Sequence, residues 1–309
     1  MAMITYYFRT IKDTELKKLD AVRTGVWVHA ESPTPEEIKK LQADFGLDED
    51  IMEDAEDFFE VPRLEKSDGG TYFFTRYPYR EIKEDSETAP LLIIMGESFV
   101  LTVALRPVPF LERFFSGKEA VVTTQKAKFF ILMVEALTQA YDSELIKLRK
   151  AVQKERVRLT KIGMKGIERL VQYESRLNSM VDALVPTNAW LQQVPKGNYM
   201  QLFSDDIDAM EDIIIANNQV VNQARSILKT IQNMRGGIEA IMTSRLNNSL
   251  SILTVLTILL TVPLVIASLY GMNIKLPLQD SPYAFVYILG ANAVVLAILS
   301  WFFQKKGWF

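Results

Sequence analysis

Cysteine is absent from the 309 residues and histidine occurs once, at His29. Disulfides, thiolate zinc sites and cysteine nucleophiles are therefore excluded. His29 sits in the strand-like run Val26-Trp27-Val28-His29 and reads as a structural residue rather than a ligand. No charge of one sign dominates: 35 Lys plus Arg stand against 38 Asp plus Glu. Nothing in that balance points to a nucleic-acid partner. No glycine-rich phosphate cradle and no nucleophile–base pair stands out, so neither ATP use, enzymatic turnover nor an organic cofactor is expected. The N-terminus has no apolar stretch followed by a small-residue cleavage site, so no signal peptide is expected.

The most informative absence is that of charge along two C-terminal stretches. Residues 246–274, between Arg245 and Lys275, carry none, and neither do residues 281–304, which end at Lys305-Lys306. About 20 apolar residues at about 1.5 Å each cross a hydrocarbon core of about 30 Å. Two such stretches joined by a short loop predict a membrane hairpin, with spans at about 248–270 and 283–303. The basic residues Arg235, Arg245, Lys305 and Lys306 flank the spans on one side, whereas the loop 273–282 has only Lys275. By the positive-inside rule both termini are then cytoplasmic and the loop is external. Tyr270, Tyr283, Phe285 and Tyr287 fall at the outer boundary and Trp301, Phe302, Phe303 and Trp308 at the inner one, as interfacial anchors do.

The first span is polar along one stripe. Asn247, Leu250, Thr254, Thr257, Thr261, Leu264 and Ser268 recur in alternating steps of three and four and share a helix face. Thr and Ser hydroxyls in a membrane span commonly bond back to their own helix carbonyls. The alternative is a stripe lining a water-filled path, with Leu250 and Leu253 as apolar constrictions that gate by dewetting. One helix cannot enclose a pore, so that alternative requires an oligomer.

Upstream, residues 3–9, from Met3, and 25–29 read as strands, and 33–46 as a helix capped by Ser32 or Thr34 with Pro35 in its first turn. A second, acidic helix carries Asp48, Glu49, Asp50, Glu53, Asp54, Glu56 and Asp57. Strands are expected at 62–66, 72–79, 91–95 and 99–104, with Asp68-Gly69-Gly70 and Gly96-Glu97-Ser98 as hairpin connections. The fold class is α+β, an α/β/α sandwich with a mostly antiparallel sheet over residues 1–117, followed by long helices. Residues 118–199 read as two antiparallel, solvated coiled-coil-like helices, broken near Gly163 and Gly166 and punctuated by Pro186 and Pro195-Lys196-Gly197. A last helix over 200–272 runs into the first span, and Gly236-Gly237 within it marks a bend, a packing point or a hinge. The tail is 304–309.

Gly271-Met272-Asn273, at the end of the first of two C-terminal spans and behind a long helix, resembles the CorA divalent-cation channels over essentially the whole chain. That resemblance implies a funnel-shaped homopentamer in the inner or plasma membrane, its first spans innermost. It implies passive, voltage-driven uptake of hydrated Mg²⁺, with Co²⁺ and Ni²⁺ as co-substrates. It makes Gly271, Met272 and Asn273 the selectivity filter, with Asn247 a second polar ring. The family's metal-sensing carboxylates fall on Glu53-Asp54 and Asp212, so Mg²⁺ is expected as regulator as well as cargo. A solvated acidic face, shared with Asp205, Asp206, Asp208 and Glu211, is the alternative for these residues. The loop departs from many magnesium members: it lacks a pair of acids and has Lys275 and Asp280 instead. Pro263 stands one residue nearer the tripeptide than in the best-known members, Leu264 replaces a common Thr, and Gly236 stands where an acid can occur. A proton-coupled Zn²⁺ transporter of the same architecture is therefore the second reading, and a non-transporting membrane-anchored scaffold the third.

Overall fold

In the computed structural model, residues 4–81, 86–159, 162–278 and 280–308 are described; Met3 of the expected first strand and Gln279 of the expected loop lie outside them. Seven strands form one sheet: β1 (Ile4–Phe8), β2 (Lys17–Leu19), β3 (Val26–Glu31), β4 (Arg63–Ser67), β5 (Gly70–Glu81), β6 (Ser86–Met95) and β7 (Phe99–Ala104). Their order is β2-β1-β3-β7-β6-β5-β4. Every neighbouring pair is antiparallel except β3 and β7.

Period-two alternation assigns the two faces. Val26, Val28, Tyr72 and Phe74 pack on one side with Ile38 and Leu41 of α1 (Pro35–Phe45) and Ile51 and Met52 of α2 (Glu49–Asp54). Trp27 and Phe73 face the other way. Trp27 meets Phe129, and Phe73 lies 4.4 Å from Phe130 and 5.3 Å from Trp190, centroid to centroid. Those partners belong to α4 (Lys126–Val157) and α5 (Met164–Leu191). The expected α/β/α sandwich is present. His29 is buried in that second layer, its Nδ1 2.8 Å from Thr102 Oγ1, and burial lowers its pKa to about 4, so the ring is neutral and structural.

Local chemistry explains the element ends. Thr34 caps α1 in a reciprocal box: Glu37 N donates to Thr34 Oγ1 at 3.3 Å and Thr34 N to Glu37 Oε2 at 2.9 Å. Gly46 closes that helix with φ 60°, a left-handed turn that glycine adopts without a Cβ penalty. Asp48 caps α2, which ends at Asp54, so Glu56 and Asp57 lie beyond the helix expected to carry them.

The long helices differ from expectation in their punctuation. The break between α4 and α5 falls before Met164, and Gly166 lies inside α5. Pro186 also lies inside α5 rather than ending it. Leu184, Thr187, Trp190 and Leu191 are buried around it, and that packing outweighs the roughly 3 kcal/mol a mid-helix proline costs. The two helices are antiparallel: Arg176 pairs with Glu144, while Arg169 forks onto the buried Glu155 at 2.9 and 3.1 Å. Two elements had no sequence signal, the charged three-residue β2 and the short α3 (Glu112–Phe115).

The chain divides into two compact units, residues 1–233 and 234–309. Helix α6 (Ser204–Tyr270) starts in the first and ends in the second, beginning at Ser204 rather than near residue 200 and stopping before Met272. Gly236 is helical, and a Cβ there would meet nothing within 4 Å, so close packing within this chain is not its reason. The second unit also contains α7 (Ala284–Lys305).

Candidate functional site

Both α6, in its C-terminal part, and α7 are apolar and long enough to cross a membrane, and their apolar windows are almost wholly unburied. A water-exposed surface of this kind is not tolerated by a soluble fold, whereas lipid accommodates it. The polar stripe of α6 is exposed as well: Asn247, Leu250, Leu253, Thr254, Thr257, Thr261, Leu264 and Ser268 all lie open. Thr254 Oγ1 donates to Leu250 O and Thr257 Oγ1 to Leu253 O, each at 2.8 Å. The back-bonding expected of membrane hydroxyls is therefore realised at these two residues. It leaves the oxygen lone pairs facing outward.

At the end of the stripe the helix closes by its own backbone. Gly271 N reaches Ala267 O at 3.0 Å and Ser268 O at 3.2 Å, and Met272 N reaches Leu269 O at 3.3 Å. Gly271 does not adopt a left-handed φ, and a Cβ there would come no nearer than 3.5 Å to those carbonyls. The single chain therefore gives no steric reason for a glycine. Asn273 follows, exposed, with no hydrogen-bond partner for its amide among the described residues. The C-terminal end of the helix dipole, with its partial negative charge, faces the same region, and Tyr270 Oη donates to Pro277 O at 3.4 Å across the loop.

Asn292 escaped the sequence reading. Its Nδ2 donates to Ile288 O at 3.2 Å, but its Oδ1 is buried without a donor. It lines a groove of 580 Å³ with Pro263, Ala267, Tyr270, Gly271 and Phe285. A lone amide in the middle of an uncharged run was the available signal.

The carboxylates of the first unit are separated rather than gathered. Glu53 lines a groove between α1 and α2 with Glu49, Glu56 and Lys39. Its neighbour Asp54 does not line that groove; its Oδ2 lies 2.6 Å from Arg63 Nη2. Arg63 also holds Glu60 and Glu65 and lies 4.1 Å over the Phe74 ring. Burial pulls the Arg63 pKa down, but Glu65, Glu60 and Asp54 outweigh it and leave the pKa raised. Arg63 was not singled out in the sequence, although its i, i+2 spacing from Glu65 on a strand places both on one face.

Asp212 is exposed on α6 and lines a 280 Å³ pocket with Glu135, Thr138 and Gln139 of α4. Among its acidic neighbours Asp206 is buried and accepts from Phe203 N at 3.0 Å, an N-terminal capping role. No group of three or more His, Asp or Glu able to hold a metal occurs among the described residues. A site built from Glu53, Asp54 and Asp212 thus needs a second copy of the chain.

An α+β unit, long helices and two exposed apolar helices with a polar stripe define a two-span membrane transport protein rather than an enzyme. The chain belongs to the CorA-like Mg²⁺ transporter protein family, which matches residues 23–306. It is 22% identical over 291 residues to the cobalt/magnesium transport protein CorA of Methanocaldococcus jannaschii, covering 92% of this chain and 91% of that one. It is 23% identical over 304 residues to a magnesium transport protein CorA of Campylobacter jejuni, with the same coverage, 92% and 91%. The complete structure of the CorA magnesium transporter from M. jannaschii superposes with a TM-score of 0.87 at 18% identity, covering 100% of this chain and 99% of that one.

Because nothing within the chain requires Gly271, Gly271→Ala is expected to change thermal stability in detergent by less than about 0.5 kcal/mol. The same variant is expected to lose ion flux, the outcome that would place the requirement for Gly271 between copies of the chain. A large drop in melting temperature would place the requirement inside the chain instead.

Proposed function

We propose that the protein is a passive uptake channel for hydrated Mg²⁺, with Co²⁺ and Ni²⁺ as further cargo, built as a homopentamer with the α6 stripes around a central path. The observation that carries this is Asn273, exposed and without a hydrogen-bond partner among the described residues, at the end of a stripe in which the hydroxyl hydrogens of Thr254 and Thr257 are committed to their own helix. A hydrated divalent cation presents water hydrogens outward, because Mg²⁺ gives up its shell reluctantly. The path therefore needs acceptors, not donors. Thr254 and Thr257 meet that need because back-bonding commits their hydrogens, and a ring of Asn273 carbonyls meets it at the mouth. Asn247 gives a second ring, Leu250 and Leu253 the constriction, and Thr261, Leu264 and Ser268 the remaining lining, with Gly271 and Met272 shaping the filter.

The protein lies in the cell membrane with residues 1–199 and the tail 304–309 on the cytoplasmic side and the loop 273–282 outside. A divalent cation moving inward gains about 4.6 kcal/mol at 100 mV, from about 2.3 kcal/mol per charge, so no ATP is needed. Glu53 and Asp54 of one copy face Asp212 of the next across a cytoplasmic interface. Internal Mg²⁺ bridges them, and its loss lets the carboxylates repel and the gate open. The names of the relatives, cobalt and magnesium transport proteins, support Mg²⁺ and Co²⁺ as cargo.

Ion flux into liposomes carrying the purified protein tests the reading, with Mg²⁺ and Zn²⁺ each driven first by voltage and then by a pH gradient. Voltage-driven Mg²⁺ entry without proton coupling is expected. Zinc flux following the pH gradient would move the protein to a zinc transporter, and no flux of either ion would leave a membrane-anchored scaffold. In the same assay Leu250→Asn is expected to raise Mg²⁺ entry at high internal Mg²⁺ by roughly tenfold, equivalent to about 1.4 kcal/mol, because a polar ring wets more easily. Unchanged or lower flux would remove Leu250 from the gate.

A further inference from the structure

We propose that Arg63 is a built-in counter-cation of the α2 sensor, occupying the carboxylate that a regulatory divalent cation uses and so setting the concentration at which that cation acts. The inference rests on the assignment of Glu53 and Asp54 as sensing carboxylates. It starts from the geometry of one guanidinium. The three faces of the Arg63 fork are taken by three carboxylates: Nη2 by Asp54 at 2.6 Å, Nη1 by Glu60 and Nε by Glu65. The flat of the group rests on Phe74, which fixes its plane. The arrangement bridges α2, the segment after it and β4.

Charge then decides what this cluster does. Three carboxylates against one guanidinium leave a surplus of two negative charges, enough to attract a divalent cation to an open edge. That edge exists: the Asp54 side chain is 49% exposed, whereas Arg63 is 24% exposed beneath it. A cation arriving from a neighbouring copy must compete for Asp54 with a guanidinium already in place. Glu53, which lines the α1–α2 groove and has no ion-pair partner among the described residues, has no such competitor. The two adjacent carboxylates are therefore unequal, Glu53 open to the cation and Asp54 held back by Arg63. An arginine suits the task because its planar fork holds several carboxylates at once and never loses its charge.

The test is a Mg²⁺ titration of protection against chymotrypsin, using full-length protein in lipid nanodiscs; this protease does not cut at arginine. Arg63→Gln raises the surplus to three negative charges and frees Asp54, so the midpoint is expected to fall by roughly tenfold. Arg63→Lys keeps the charge but cannot hold three carboxylates with one planar fork, so its midpoint is expected to lie between those of the parent and Arg63→Gln. Glu65→Gln lowers the surplus and leaves the guanidinium more firmly on Asp54, so the midpoint is expected to rise about threefold or more. A merely structural clamp would lower stability in these variants without moving the midpoint in opposite directions. A parent protein that Mg²⁺ does not protect at all overturns the sensor assignment itself. A protected parent whose midpoint stays put in folded Arg63→Gln, or does not rise in Glu65→Gln, overturns the role of Arg63 alone.

Discussion

Asn273→Ala is expected to reduce Mg²⁺ flux by roughly a hundredfold or more while the oligomer stays assembled. The amide is exposed, and no hydrogen bond to a described residue depends on it, so the folded chain loses nothing when it is removed. In the proposed pore, the entering ion loses one acceptor from every copy around the mouth. A hydrogen bond is worth about 1 kcal/mol net, so losing two or three at once accounts for a hundredfold, about 2.7 kcal/mol. The position reinforces the effect. The carbonyl end of α6, met by Gly271 N and Met272 N, makes the proposed mouth partly negative, while Lys275 two residues on would oppose cation entry. Without the Asn273 acceptors that opposition is no longer balanced. Liposome flux, with size-exclusion chromatography of the same preparation, checks both halves of the expectation. Near-normal flux would take Asn273 out of the mechanism, and a dispersed oligomer would make its role structural.

The largest stability effect is expected at Arg76. This arginine stands in the middle of β5, only 8% exposed, and has four bonds of 2.9 Å: to Thr88 Oγ1, Thr88 O, Phe58 O and Glu60 O. Burial lowers its pKa, yet a guanidinium stays charged, so those oxygens together replace its water shell. Arg76→Leu removes the charge but leaves the carbonyls of Phe58 and Glu60 without their donor, whereas Thr88 O keeps Ser86 Oγ at 2.8 Å. Such a loss costs about 3 kcal/mol. For a unit of 233 residues that corresponds to a fall of about 6–12 °C in melting temperature. Phe58 O and Glu60 O belong to the segment that follows α2, so the anchor of the proposed sensor goes with them. Mg²⁺ protection is expected to weaken in parallel. A fall below about 2 °C would mean that water reaches these carbonyls.

Much of the candidate site was legible because its signals are local or periodic. Two runs without charge announced the apolar helices, and the three-and-four spacing from Asn247 to Ser268 announced the stripe. The hairpins at Asp68-Gly69-Gly70 and Gly96-Glu97-Ser98, the Thr34 cap and the mostly antiparallel sheet followed from turn and capping chemistry. Pro186 was misread because its local rule ignores the packing of Trp190 and Leu191 around it. The choice between back-bonded and path-lining threonines was posed as an alternative, and the geometry at Thr254 and Thr257 makes the two compatible.

The sequence by itself determined the family, the apolar spans, the polar stripe and the place of Gly271-Met272-Asn273, since each depends on residues close together along the chain. Only the tertiary structure decided that β3 and β7 run parallel, that Glu53 lines the α1–α2 groove while Asp54 pairs with Arg63, and that Arg63 also holds Glu60 and Glu65. It also decided that Arg76 reaches from β5 to Phe58 and Glu60, and that Asn292 Oδ1 has no donor among the described residues. The physical reason is the same in each case. Hydrophobic period and capping are properties of a segment, whereas the partner of a charge or a buried amide is chosen by which other segments burial brings within about 3 Å.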